Sequence, residues 1–168
     1  KPFDLLSDGG SLGVDISAHA LTKYPSGGGD VLMGSIITVD QALHMRIKLT
    51  HMRLGIGVGA NDAEMVLRSL SSTALRYRAH DVSARALAAA LQRQAAVVQL
   101  LHPAFEEAPG HAHWQQLCGA ANQGEGAAAG LFSVVIGENF DQAAVDRFCD
   151  SLQLFKLGYS WGGPMSLV

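Results

Sequence analysis

Charge is scarce in this sequence. Only 16% of its 168 residues are Asp, Glu, Lys or Arg, just 12 are basic, and the net charge of −3 includes no basic run. Such a chain has no electrostatic footprint for nucleic acid or for an anionic membrane surface, and those partners are set aside. Aromatic residues are sparse at 7%, and no apolar run approaches the ~20 residues that a membrane-spanning helix needs. There are only two cysteines, Cys118 and Cys149. They match neither a zinc spacing nor a small disulfide framework, so they read as reduced thiols in a reducing compartment. The opening KPFDLLSDGG lacks a signal peptide's apolar block and an initiator methionine. The chain therefore reads as cytoplasmic and as cut from something longer.

What is present is apolar: 48% of the residues are hydrophobic and the mean hydropathy is slightly positive. That is the profile of a folded, buried and oligomeric protein, large enough for one ordinary domain or pieces of two. LGVDISA (residues 12–18) alternates as a short strand does, and DVLMGSIIT (30–38) reads as a second, more fully apolar strand. Residues 39–53 repeat apolar side chains at helical spacing, with Leu43 and Ile47 on one side, and stop at GIGVG. Asn61 is placed to cap the next helix, with Asp62 and Glu64 suiting its positive end. The alanine-rich 81–98 predicts the longest helix, and VVQLLHP a strand ended by Pro103. Residues 104–130 read as loop, 130–137 as a strand, 139–155 as an amphipathic helix, and 156–163 as a strand entering a turn. From about residue 75 the order is that of an open α+β module, which sets a boundary near residues 60–75.

Lys23 is the residue with the most chemical promise. It follows an alternating apolar run and precedes Gly27, Gly28 and Gly29. Most lysines are solvated surface residues, but an amine that forms a Schiff base needs a rigid strand-to-strand link, partial desolvation and glycines that let a cofactor ring approach the backbone. Thr22 and Ser26 offer hydroxyls to a phosphate. GIGVG at 55–59 follows a helix, not a strand, and lacks a lysine–serine pair, so it reads as a connector and not a nucleotide loop. His111, His113 and Cys118 suggest metal only weakly, with no carboxylate nearer than Glu106 and Glu107, and no metal site is assigned. Asp15, Ser17 and His19 have the residue types of a hydrolase triad but are crowded into one strand, where they cannot converge. YSWGGPMSLV at the end reads as a tight turn with a packed tryptophan, or as a rigid loop aiming amides and Ser160 at a small polar ligand.

Several of these stretches, in this order, carry a resemblance. VDISAHALTKYPSGGGDVLMGSI resembles the pyridoxal-phosphate attachment segment of the Cys/Met metabolism enzymes. LRYRAHDVSARALAAAL resembles that family's helix opening the C-terminal domain, HPAFEEAPGHAHWQQLCGA its following loop, and GLFSVVI its next strand. Within the family, GHAHW and SWGG are similar to the forms of bacterial cystathionine beta-lyases.

The resemblance implies an α/β fold of the aspartate aminotransferase-like type, fold type I. Residues 1–70 would be the C-terminal part of the cofactor-binding large domain, and 71–168 an incomplete small α+β domain. It implies pyridoxal 5′-phosphate as cofactor, a homotetramer, and beta elimination of cystathionine to homocysteine, pyruvate and ammonia. The alternatives are a gamma-synthase or gamma-lyase of the same family, or a catalytically silent remnant serving as a structural module. Lys23 would bond to the cofactor's aldehyde, be displaced by the incoming amino acid and then move the alpha proton. Thr22 would contact the cofactor phosphate, and Ser160 and Trp161 would line the substrate carboxylate pocket with Tyr159 behind them. There are departures. PSGGGD replaces a glycine-histidine-serine-aspartate form, RSLSSTALRYR replaces an arginine-glycine-leucine turn, and GGPM stands where an aromatic and a glutamate are usual. LLSDGGS resembles an insertion near the start. The family's ring-stacking tyrosine, its aspartate facing the pyridine nitrogen and its phosphate-cradling glycine loop precede the lysine, and its carboxylate-clamping arginine lies beyond Val168. None of those positions falls within this sequence, so the chain as given reads as a piece of an enzyme.

Overall fold

A computed structural model describes residues 14–168. The start of the first expected strand, residues 12 and 13, and the LLSDGGS segment lie outside the described residues. The chain divides into two compact units, one ending at Ser71 and the other running Ser72–Val168.

The first unit is built on a hairpin. Strand β1 (Ser17–Ala20) pairs antiparallel with β2 (Gly34–Ile37), with Ser17 opposite Ile37 and Ala20 opposite Gly34. β1 runs two residues beyond its expected end at Ala18, while β2 starts four residues later than expected because residues 21–33 form a folded loop. That loop buries Tyr24, Ser26 and Val31. Gly27 and Gly29 adopt φ of +67° and +73°, a region that costs a residue with a Cβ energy. At Gly28 a Cβ would run into the Asp30 carboxylate. The glycine cluster is thus what lets the loop fold back so that Met33 returns to Thr22.

Helix α1 (Gln41–Arg53) starts at Asp40, whose side chain accepts the Leu43 N–H at 2.6 Å. GIGVG then links it to α2 (Ala60–Leu70), the connector its composition suggests. Asn61 does not cap α2. The N-cap is Gly59, without a side-chain bond, and Asn61 lies inside the first turn.

The second unit opens with α3 (Thr73–Gln92), which begins eight residues before the expected start at 81. It packs on β3 (Val97–Leu101), with Ala84 and Ala88 buried. Small side chains at these positions suit close approach between helix and strand. Helix α4 (His111–Cys118) occupies part of a stretch that reads as loop in the sequence. A 3-10 turn at Asn122–Gly124 follows. β4 (Ser133–Ile136) pairs antiparallel with β3, Leu100 opposite Val134, with a register shift between Val97 and Gln99. Helix α5 (Gln142–Ser151) starts at Asp141, which accepts the Ala144 N–H at 2.8 Å, and is shorter than the expected 139–155.

The expected strand at 156–163 does not form. Lys156 makes an isolated parallel bridge with Leu167, and Gly162, Gly163 and Pro164 between them form bends. No helix among the described residues is long and apolar enough to cross a membrane.

Candidate functional site

Lys23 sits in the turn that leaves β1, on the link between β1 and β2, and its side chain is half-buried. Backbone bonds fix it on both sides: its N–H donates to Ala20 O at 3.3 Å, and its carbonyl accepts the Gly27 N–H at 2.9 Å. Ser26 N–H closes the same turn on Leu21 O at 2.9 Å. The neighbours Tyr24 and Ser26 are buried, so the backbone that carries Lys23 is held by packing as well as by hydrogen bonds.

The two hydroxyls considered for a phosphate are both engaged within this loop. Thr22 Oγ1 accepts the Met33 N–H at 3.0 Å and donates to Met33 O at 3.3 Å, while Thr22 N–H also donates to Met33 O at 3.2 Å. Ser26 Oγ donates to Thr22 O at 2.9 Å and lies 3.4 Å from Lys23 O. Thr22 thus clips the two ends of the loop together. To donate to a phosphate it would have to give up its longer bond, the one to Met33 O. The residues present fit the aldehyde end of pyridoxal phosphate: an amine on a rigid, partly shielded turn beside backbone without side chains.

In the second unit the C-terminal segment borders an open cleft of about 1160 Å³ between α3, the β3–β4 sheet and α5. Ser160 and Trp161 line it, as do Leu87, Phe132 and Phe148. Tyr159, expected behind them, is fully exposed in this chain. Gly162 takes φ of +73° and is buried, so the glycine pair is needed to bend the segment. Lys23 and Thr22 belong to the first unit, Ser160 and Trp161 to the second.

A polar network escaped the sequence reading. Asp81, in the middle of α3 and 4% exposed, accepts Arg85 Nε at 2.8 Å and the Ala128 N–H at 3.2 Å. Arg85 lies over the Trp114 ring at 5.6 Å, and Trp114 Nε1 donates to Ala127 O at 2.9 Å. The spacing of Asp81 and Arg85, four residues apart on a helix, is the one signal that pointed to it. His111 Nδ1 lies 2.8 Å from Pro103 O, and its ring stacks near Trp114. Among the described residues no three His, Cys, Asp or Glu side chains gather as a metal site.

Comparison with known proteins agrees with the resemblance carried by the motifs. The family model of Cys/Met metabolism PLP-dependent enzymes matches residues 4–168. Over 158 residues the chain is 39% identical to a cystathionine beta-lyase of Bordetella avium, covering 94% of this chain and 38% of that protein. It is 40% identical over 159 residues to a putative cystathionine beta-lyase of Rhizobium johnstonii, covering 93% and 38%. The crystal structure of cystathionine gamma synthase from Xanthomonas oryzae pv. oryzae in complex with cystathionine superposes with a TM-score of 0.78 at 35% identity, covering 92% of this chain and 38% of that one. The chain thus spans about two-fifths of the length of these relatives. It has the fold type I architecture of such enzymes over a partial, C-terminal region. This chain belongs to the Cys/Met metabolism PLP-dependent enzymes.

Proposed function

We propose that the whole protein is a carbon–sulfur lyase that cleaves cystathionine by beta elimination, with Lys23 as its catalytic residue. The observation that carries this reading is the half-buried Lys23, fixed through its backbone on a glycine-rich turn, in a chain whose relatives include cystathionine beta-lyases. Residues 1–70 then belong to the large domain and 71–168 to the small one. When bound, pyridoxal phosphate supplies a sink for the electron pair left at the substrate's alpha carbon.

The work of the chain's own residues follows from their chemistry. The Lys23 amine would hold the cofactor's aldehyde end and, once freed by the substrate's amino group, would serve as the base that takes the alpha proton. Loss of that proton lets the beta carbon–sulfur bond break, the thiolate leaving as homocysteine. One water then converts the remainder to pyruvate and ammonia. Thr22 holds the loop end against Met33 and offers its hydroxyl toward the phosphate. Ser160 and Trp161 bind the substrate carboxylate end, the serine by hydrogen bond and the indole by shape.

A gamma-synthase or gamma-lyase is the second reading, favoured by the likeness to the Xanthomonas gamma synthase. Product analysis of the whole protein with cystathionine separates the two. Beta elimination gives pyruvate and homocysteine, whereas 2-oxobutyrate with cysteine would establish gamma cleavage. A silent remnant would give neither product and would bind no cofactor. We further place the whole protein in the cytoplasm as a homotetramer. Many large apolar side chains are exposed here, among them Leu32, Met52, Leu67, Val98 and Leu154, as expected of surfaces that meet further polypeptide. Light scattering of the whole protein checks the assembly, a monomeric mass being the contrary result.

A further inference from the structure

We propose that His102 is a built-in acid release for residues 103–128: a proton taken up by its buried ring breaks the bond that fixes Ala104 and loosens the start of that segment. His102 directly follows β3 and is wholly inaccessible, at 0% exposure. Its ring meets Phe105 edge-on at 5.1 Å and Phe132 at 5.8 Å. Nδ1 accepts the Ala104 N–H at 3.2 Å, so the neutral ring carries its hydrogen on Nε2. That Nε2 has no hydrogen-bond partner among the described residues.

The geometry leaves a second proton nowhere to go but Nδ1. There it meets the Ala104 N–H, so an accepted bond becomes two donors facing each other between aromatic walls, where a charge is costly. The charges acting on the ring both come from α3: Arg85 opposes protonation and Asp81 favours it. Asp81 is already held by Arg85 and the Ala128 N–H. Phe105, from the segment itself, and Phe132, just before β4, bring no charge.

Loss of the Ala104 bond is transmitted along a run of turns. Phe105 N–H donates to His102 O at 3.0 Å, Ala108 N–H to Phe105 O at 3.0 Å, and His111 N–H to Ala108 O at 3.1 Å, which leads into α4. The far end keeps its ties through Ala128 to Asp81 and through Gly126 O to Arg85, so the segment opens from the His102 end. Burial, and after it Arg85, lowers the affinity of the folded ring for a proton below the ordinary value of 6.5. The unfolded state therefore binds more protons below that pH. Stability is complete above it, falls as the pH drops through 6.5, and levels once the folded ring is itself charged.

Amide hydrogen exchange of the full chain, corrected for the intrinsic pH dependence of exchange, tests this. Between about pH 7.5 and about pH 5, opening of peptides within 103–111 should rise by about tenfold or more, and that of the β1–β2 hairpin should not. His102→Asn, whose side-chain oxygen can accept the Ala104 N–H without titrating, should abolish the increment. The same acid increment in His102→Asn, or an increment spread evenly over both units, would overturn the proposal. Nitrogen-15 spectra of the native chain give a readout that does not depend on the variant folding. The Nε2–H tautomer and a titration midpoint below the ordinary histidine range are expected, and an Nδ1–H tautomer or an ordinary midpoint would defeat the idea.

Discussion

A single buried carboxylate ties α3 to the segment that precedes β4. Asp81 takes bonds from Arg85 and from the backbone of Ala128, while only 30% of the Arg85 side chain is exposed. Asp81→Ala leaves the Ala128 N–H and the Arg85 Nε without that acceptor and should cost about 3 kcal/mol in urea unfolding, whereas Asp81→Asn, which keeps an acceptor, should cost about 1–2 kcal/mol. Equal losses would mean that the charge and its bonds do not matter. Thr22 is the corresponding residue of the first unit. Thr22→Val removes a hydroxyl that both accepts from and donates to Met33 and should lower stability by about 1–2 kcal/mol, while Thr22→Ser should stay within about 0.5 kcal/mol. If Thr22→Val weakens cofactor binding without any loss of stability, its hydroxyl serves the phosphate and not the loop. Lys23 was legible because a local pattern surrounds it. The partners of Asp81 and Thr22 were not, since Ala128 lies 47 residues from the first and Met33 lies 11 from the second, and no local pattern encodes such pairings.

Among the elements, helix starts separate local from tertiary control. Asp40 and Asp141 cap with their side chains, one residue before α1 and α5 begin. Asn61 has the right chemistry two residues too late, because the chain enters α2 at Gly59 in extended conformation. Circular dichroism melts should therefore show about 1 kcal/mol lost in Asp40→Ala and no more than about 0.5 kcal/mol in Asn61→Ala. A larger loss from the asparagine would return the cap to it. Most strands and long helices were readable from periodicity, α1 nearly to the residue. Helix α4 was not. It is eight residues long, follows Gly110 at φ of +83°, and is held by the Trp114 bond to Ala127 O, a contact made only once the chain has folded. The expected strand at 156–163 failed for the opposite reason. Its alternation was local, but backbone bends around Gly162 and Pro164 leave one bridge, Lys156 to Leu167.

At the scale of the molecule, two small cores carry a largely apolar chain. Tyr24, Val31 and Val66 are buried in the first unit, and Ala84, Ala88, Leu100 and Ala108 in the second. Helix α1 has no fully buried side chain, and Leu43 and Ile47, its apolar side, are half-buried. The sequence made the family readable across nearly the whole chain, and the family match over residues 4–168 agrees. The proposed beta-lyase chemistry rests on Lys23. Its most direct measurement is borohydride reduction of the whole protein saturated with pyridoxal phosphate, followed by peptide mass mapping. Reduction should fix one phosphopyridoxyl group on the peptide containing Lys23, with Lys48 and Lys156 unlabelled. Label on those lysines with Lys23 unmodified would contradict the account.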